Sequence, residues 1–160
     1  MLGVKLICVG KMRERFYIDA FEEYRKRLGA YCRLELVELA EQRLSDSPSA
    51  AEIAAALEKE GAEILKAIPP DAFVCALCIE GKEMSSEGFS ALFTERENSG
   101  KPKLCFVIGG SFGMSGTVKA RADIKLSMSK MTFPHHLARV MLGEQIYRAF
   151  KIAEGSRYHK

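Results

Sequence analysis

The chain reads as an α/β protein with a mostly parallel sheet flanked by helices. Three observations predict this class. Residues 72–79 and 104–108 are wholly apolar and residues 4–9 nearly so, as strands buried on both faces are. Longer stretches with apolar residues at helical spacing lie between them. Strands and helices alternate along the chain, the layout of βαβ units. Its 160 residues suit one domain, 1–160, with a sizeable core.

Taken in order, residues 4–9 form the first strand. Residues 13–28 place Tyr17, Phe21, Tyr24 and Leu28 on one helical face, with Gly29 as a stop. In residues 34–39, Leu34, Leu36 and Val37 are apolar and Glu35 and Glu38 polar, a strand with one exposed face. Residues 45–48 carry turn chemistry. Ser49 and Glu52 form a capping box. The helix behind it carries Ile53, Leu57, Ile64, Leu65 and Ile68 until Pro69 and Pro70 end it. The strand at 72–79 is expected at the centre of the sheet. Ser86 starts a helix with Phe89, Leu92 and Phe93 inward, ending near residues 98–100. The strand at 104–108 is followed by GGSFGMSG, a short helix at 117–121 and a fifth strand at 123–126. A polar loop then leads to Pro134, placed in the first turn of a helix, where a missing N–H costs nothing. That helix is apolar on more than one face, through Leu137, Val140, Met141, Leu142, Ile146, Tyr147, Phe150 and Ile152. Such a helix needs cover from its own sheet and from a partner chain, so a charge at Leu142 or Ile146 is expected to give monomers. There is no internal repeat and no domain linker; residues 40–49 are the one polar stretch of any length.

No apolar run approaches the roughly 18 residues of a membrane span, and the first ten residues read as a buried strand rather than a signal peptide. Cys75 and Cys78 form a CxxC, but three positions apart on a strand means opposite faces. That spacing argues for packing rather than a shared metal, and reduced cysteines suit the cytoplasm. With three histidines and no HExxH spacing, no metal centre is expected. The net charge of +3 is uneven, with nine Lys/Arg against three Asp/Glu in residues 117–160. A basic C-terminal third points to a polyanion, nucleic acid first, or to a solvated surface.

Candidate chemistry collects behind the strands. Gly109, Gly110, Gly113 and Gly116 follow the strand at 104–108, and ligands of open α/β sheets bind at the carboxyl ends of strands. The fingerprint G-x-G-x-x-G fails at Ile108 and the phosphate loop is absent, which disfavours a nucleotide diphosphate. A second loop, 128–133, follows the next strand, and Leu77 with Glu80 and Gly81 makes a third side. Main-chain groups, Ser129, Thr132 and the apolar Leu77, Met131 and Phe133 suit an adenine and a thioether better than phosphates. This pocket requires the segments after Ile108 and before Pro134 to meet. His135 and His136 stand at a helix start, where the cationic form is disfavoured; either is a neutral acid–base group or a cap. No G-x-S-x-G nucleophile motif is present. The tail Arg157, Tyr158, His159 and Lys160 mixes cations, an aromatic ring and an imidazole. It can grip a phosphate backbone and stack on a base, or fray as termini do.

CVGKMRERF, FVCALCIEGKEMSS, FVIGGSFGM, LSMSKMTFPHHLARVMLGEQIYRAFKI and the terminal YHK, in that order over essentially the whole chain, resemble the ribosomal large-subunit methyltransferase H family of the SPOUT superfamily. The resemblance implies a SPOUT-type fold with a C-terminal trefoil knot, which no residue pattern would disclose. It implies a cytoplasmic homodimer that transfers a methyl group from S-adenosyl-L-methionine to N3 of a pseudouridine in a 23S rRNA stem-loop of the assembled ribosome. By position, it assigns Leu77, Gly109, Met128, Ser129, Lys130, Met131, Thr132 and Phe133 to the cofactor. His136 falls where family members vary. The resemblance names no catalytic base; Tyr158 and His159 are the candidates, and Arg139, Arg148, Arg157 and Lys160 are the expected RNA contacts. A non-catalytic ribosome-binding module and a tRNA methyltransferase are the competing classes.

Overall fold

The computed structural model describes residues 1–160. Ten elements follow one another: β1 (Leu2–Val9), α1 (Arg15–Leu28), β2 (Cys32–Leu39), α2 (Ala50–Ala67), β3 (Phe73–Glu83), α3 (Ser86–Asn98), β4 (Lys103–Ile108), α4 (Gly116–Arg121), β5 (Ile124–Ser127) and α5 (His135–Ala153). Every strand pairing is parallel, in the order β2-β1-β4-β3-β5. The connections through α1 and α3 step along the sheet one way, and those through α2 and α4 step back. Right-handed crossovers therefore put α1 and α3 on one face and α2 and α4 on the other. Packing agrees: α5 lies against α1 and α3, and α2 against α4.

Alternate strand residues feed two cores. Leu2, Val4, Leu6, Cys8, Leu104 and Phe106 meet Phe21, Phe89, Phe93, Leu142, Ile146 and Phe150 on the face with α5. Ile7, Val9, Val74, Ala76, Cys105 and Val107 meet Ile64, Ile68 and Val118 on the other. Burial on both faces is why these strands show no polar alternation. Each large side chain so buried contributes roughly 1.5–3 kcal/mol. Cys75 joins the first core and Cys78 packs against the second, on opposite faces as their spacing requires. All five thiols are free. Burial pushes Cys8 up to about 11 and Cys32 and Cys105 up to about 12.

Four expectations need correction. The central strand is β4; β3 lies between β4 and β5. β3 also runs past its apolar stretch to Glu83, with a break in register: Leu77 and Lys82 both face Leu126. The residues between bulge out, and Gly81 sits where a Cβ would come within 2.7 Å of the Lys125 carbonyl. Pro134 is the residue before α5 rather than part of its first turn. Leu142 and Ile146 lie fully inside the chain's own core, so a charge there would break the fold rather than an interface. No helix is long and apolar enough to cross a membrane, and no group of three or more His, Cys, Asp or Glu could hold a metal ion.

Candidate functional site

α3 leaves β3 on one face of the sheet and α4 leaves β4 on the other. A crevice opens beyond the carboxyl ends of strands at such a switch point. A cavity of about 730 Å³ lies there. Its walls are residues 77–80 at the bulge of β3, the glycine turn at 108–114, and the loop between β5 and α5. The segments after Ile108 and before Pro134 do meet.

The walls are set mainly by backbone. Gly113 N donates to Gly110 O at 3.0 Å, and Gly113 adopts φ +87°, a conformation glycine takes without strain. A Cβ at Gly109 would run into the Gly113 carbonyl. In the second loop the Ser127 hydroxyl donates to Ser129 O at 2.9 Å, and Met131 N donates to Ser129 Oγ at 3.0 Å. Such short-range side-chain bonds fix a loop without secondary structure. The amides of Ser129, Lys130, Thr132 and Phe133 donate to no group of the chain. At the rim stand Ile79, Phe112 and Met131, 51%, 50% and 73% exposed. Large apolar side chains gathered in the open at one cavity mark a surface that meets a ligand or partner.

The cavity falls within the roughly 300–1,000 Å³ of small-molecule sites. Lys119 is the one lysine or arginine in its lining, and Nζ is held by Glu80 Oε1 at 2.5 Å. That one cation is already paired with a carboxylate, while bare amides and apolar walls suit a purine and a thioether. His135 also lines the cavity. Burial holds its ring below the ordinary value, helped by His136 at a ring separation of 4.2 Å. His136 turns away, with Nδ1 3.3 Å from Glu14 Oε2.

Of the residues expected at the cofactor, Leu77, Gly109, Met128, Ser129, Met131, Thr132 and Phe133 converge on this one cavity. Lys130 belongs to the same loop but is not in the lining. The tail lies elsewhere in its own chain, folded back along α5. The Tyr158 hydroxyl donates to Glu144 Oε1 at 3.1 Å, and its ring sits 4.8 Å from the Arg148 guanidinium. Arg148 Nη2 donates to Glu144 Oε1 at 2.7 Å, and His159 Nε2 lies 2.7 Å from Glu87 Oε1. This cluster borders a second groove of about 330 Å³, formed by Met84, Phe89, Met141, Glu144 and Gln145. Leu126 and Met128 line both hollows. Arg157 and Lys160 are exposed at the terminus.

Arg139 is a correction. It is 1% exposed, donating from Nη1 to Glu38 Oε2 at 2.6 Å and from Nη2 to Gly10 O at 2.9 Å. Glu38 also accepts from Met12 N at 3.2 Å. Arg139 ties the start of α5 to the end of β1 and cannot reach a phosphate backbone. Two carboxylates went unnoticed in the sequence. Glu41 accepts from Ser111 N at 2.9 Å, and buried Glu60 accepts from Gln42 N at 2.8 Å. The nearest signal was the polar stretch at 40–49, which reads as a plain connection.

A family model described as "Predicted SPOUT methyltransferase" matches residues 2–159. Ribosomal RNA large subunit methyltransferase H of Clostridium beijerinckii is 48% identical over 99% of this chain and 100% of that protein. The protein of the same name from Desulfitobacterium hafniense is 47% identical over the full length of both. That from Clostridium botulinum is 48% identical over 99% of this chain and all of its own. Among solved structures, the SpoU methyltransferase AviRb of Streptomyces viridochromogenes, in complex with the cofactor AdoMet, aligns over 97% of this chain but 59% of that one. At 12% identity and a TM-score of 0.46, that likeness is too loose to bear on the site.

Proposed function

We propose a specific activity on the premise that the chain belongs to the SPOUT methyltransferase family, in its ribosomal RNA large subunit methyltransferase H branch. The chain methylates N3 of a pseudouridine in a 23S rRNA stem-loop of the large ribosomal subunit, with S-adenosyl-L-methionine as donor. The observation that carries this reading is the cavity at the bulge of β3 and the carboxyl ends of β4 and β5, walled by bare backbone and apolar side chains, its one cation already paired with a carboxylate. Full-length relatives named for rRNA methylation support the substrate.

Leu77, Gly109 and residues 128–133 hold the donor, which supplies an electrophilic methyl group on a sulfonium. The chain's own task is alignment. Loops fixed by backbone bonds keep the reacting atoms in place, and orientation of this kind can lower a barrier by roughly 7–11 kcal/mol. Ile79, Phe112 and Met131 at the rim offer apolar faces to a base drawn out of its stack. The imide proton of N3 must then leave. Burial, with Glu144 beside it, holds the Tyr158 phenol above its ordinary value, and its hydroxyl is already committed to Glu144. His159 offers an imidazole, the commonest general base, and is the better tail candidate.

Within one chain the tail cluster borders the groove rather than the cavity. A homodimer docked over the groove at Met84, Phe89 and Met141 would bring the tail of one protomer to the cavity of its partner. Arg157 and Lys160 then meet the RNA backbone, while Arg148 holds the tail. In this reading residues 1–160 are a single domain of a cytoplasmic protein, and the passage from β5 into α5 is threaded as a trefoil knot. The test is calorimetry with S-adenosyl-L-methionine, followed by mass mapping of rRNA from ribosomes lacking the modification. A chain that bound ribosomes but not the donor would be a non-catalytic module, and the reading would fall.

A further inference from the structure

We propose that Glu41 is a positioning residue for the donor cavity, holding the glycine turn in its binding form from the strap at 40–49, with α2 as the anchor behind it. This rests on the donor reading above and adds a residue to it.

The glycine turn presents backbone to the cavity, so its function depends on how its peptide planes are turned. The plane between Gly110 and Ser111 is held at both ends. Its carbonyl accepts from Gly113 N at 3.0 Å, and its N–H donates to Glu41 Oε1 at 2.9 Å. The first bond is internal to the turn; the second comes from a residue seventy positions earlier. The fit is close: a Cβ at Gly110 would lie 2.6 Å from that same carboxylate oxygen. The other Glu41 oxygen faces the end of β1. A Cβ built at Gly10 would lie 3.5 Å from it and 3.6 Å from His135 Nε2, so the carboxylate stands among the glycine turn, β1 and the cavity's histidine.

The strap is itself fastened. Gln42 N donates to Glu60 Oε2 at 2.8 Å, and Glu60 is buried on α2. Burial raises its carboxyl, and the Gln42 amide partly offsets that. The next residue, Gly61, packs so tightly that a Cβ would sit 2.5 Å from Ser115 Oγ. Ser115 caps α4 and closes the glycine turn, accepting from Val118 N at 3.3 Å. One step of α2 therefore braces the strap through Glu60 and the far end of the turn through Ser115, with Glu41 completing the frame. A bond that only fastened a loop would matter to melting and not to the ligand. A bond that sets the shape of a turn walling the cavity matters to affinity.

The experiment measures S-adenosyl-L-methionine affinity by calorimetry, kcat and KM on ribosomes, and thermal melting. Its variants are Glu41→Ala, Glu41→Gln and Glu41→Asp, with Glu63→Gln on the exposed side of α2 as control. Loss of a charge-assisted hydrogen bond should raise Kd and KM for the donor about tenfold in Glu41→Ala, with kcat little changed. Glu41→Gln keeps an acceptor oxygen and should recover most of the affinity. Glu41→Asp, too short to reach Ser111, should behave as alanine. Unchanged donor affinity in Glu41→Ala, even with a lower melting temperature, overturns the proposal, as does a Glu41→Gln protein as impaired as Glu41→Ala. Failure of the unsubstituted chain to bind the donor removes the donor reading and this proposal together.

Discussion

The cavity and the C-terminal tail hold their polar groups in opposite ways. Around the cavity the groups are main-chain, fixed by a glycine turn, two serine bonds and a carboxylate reaching across from the strap. In the tail, Glu144, Arg148, Tyr158, His159 and Glu87 hold one another through part-exposed side chains. A backbone wall tolerates almost any side chain that points away and rejects a methyl group in the wrong place. A surface network of ion pairs contributes only about 0–1 kcal/mol per pair and can exchange partners. In the proposed reading the rigid region holds a small donor of constant shape and the exchangeable one meets RNA.

The strongest way to break this comparison is to remove residues 157–160. Ribosome methylation should fall about 100-fold or more, the scale of a lost general base, with donor affinity by calorimetry unchanged. A fall in donor affinity would mean that tail and cavity are not separate. Next comes Gly109→Ala, which forces a Cβ into the Gly113 carbonyl. It should abolish donor binding and cost about 3 kcal/mol in urea unfolding. Arg139 and Arg148 sharpen the contrast between buried and surface charge. Arg139→Ala leaves Glu38 without its buried partner and should cost about 3 kcal/mol. Arg148→Ala should cost under about 1 kcal/mol while lowering ribosome methylation.

The smallest effect is on pH dependence. His135 has a folded value below its ordinary 6.5, with burial the first cause. The unfolded chain thus takes up a proton before the folded one does. The stability this contributes is complete above about pH 6.5 and is lost as pH falls from there through the lowered folded value. His135→Gln should flatten that part of a melting-temperature profile, while Glu14→Gln, at the exposed end of the histidine pair, should change it less.

Strand-length apolar runs, helical spacing and the Ser49 cap were legible because they are local. Ser49 accepts from the amide three positions on; Ser85 and Ser115 cap α3 and α4 in the same way and went unread. The three walls of the cavity were legible for a similar reason: loops that follow parallel strands share one edge of the sheet. What stayed hidden depends on contacts across long stretches of chain. Charge alone does not reveal burial, so Arg139 read as an RNA contact although its partner, Glu38, lies 101 positions away. The apolar faces of α5 did not show which one turns inward. The face that carries Leu142 and Ile146 packs with Phe21 of α1 and Phe89 and Phe93 of α3 in one core. β3 ran on past its apolar residues because ladder bonds to β5 need no apolar side chain.

Leu126 and Met128 form a thin partition between the cavity and the groove beside α5. Whatever settles on one side meets side chains that also shape the other, a route by which the two occupancies would be coupled. If a second copy tightens the donor's hold by some factor, the donor must raise the association constant of the copies by the same factor. Dilution and donor starvation would then be two routes to the same idle state.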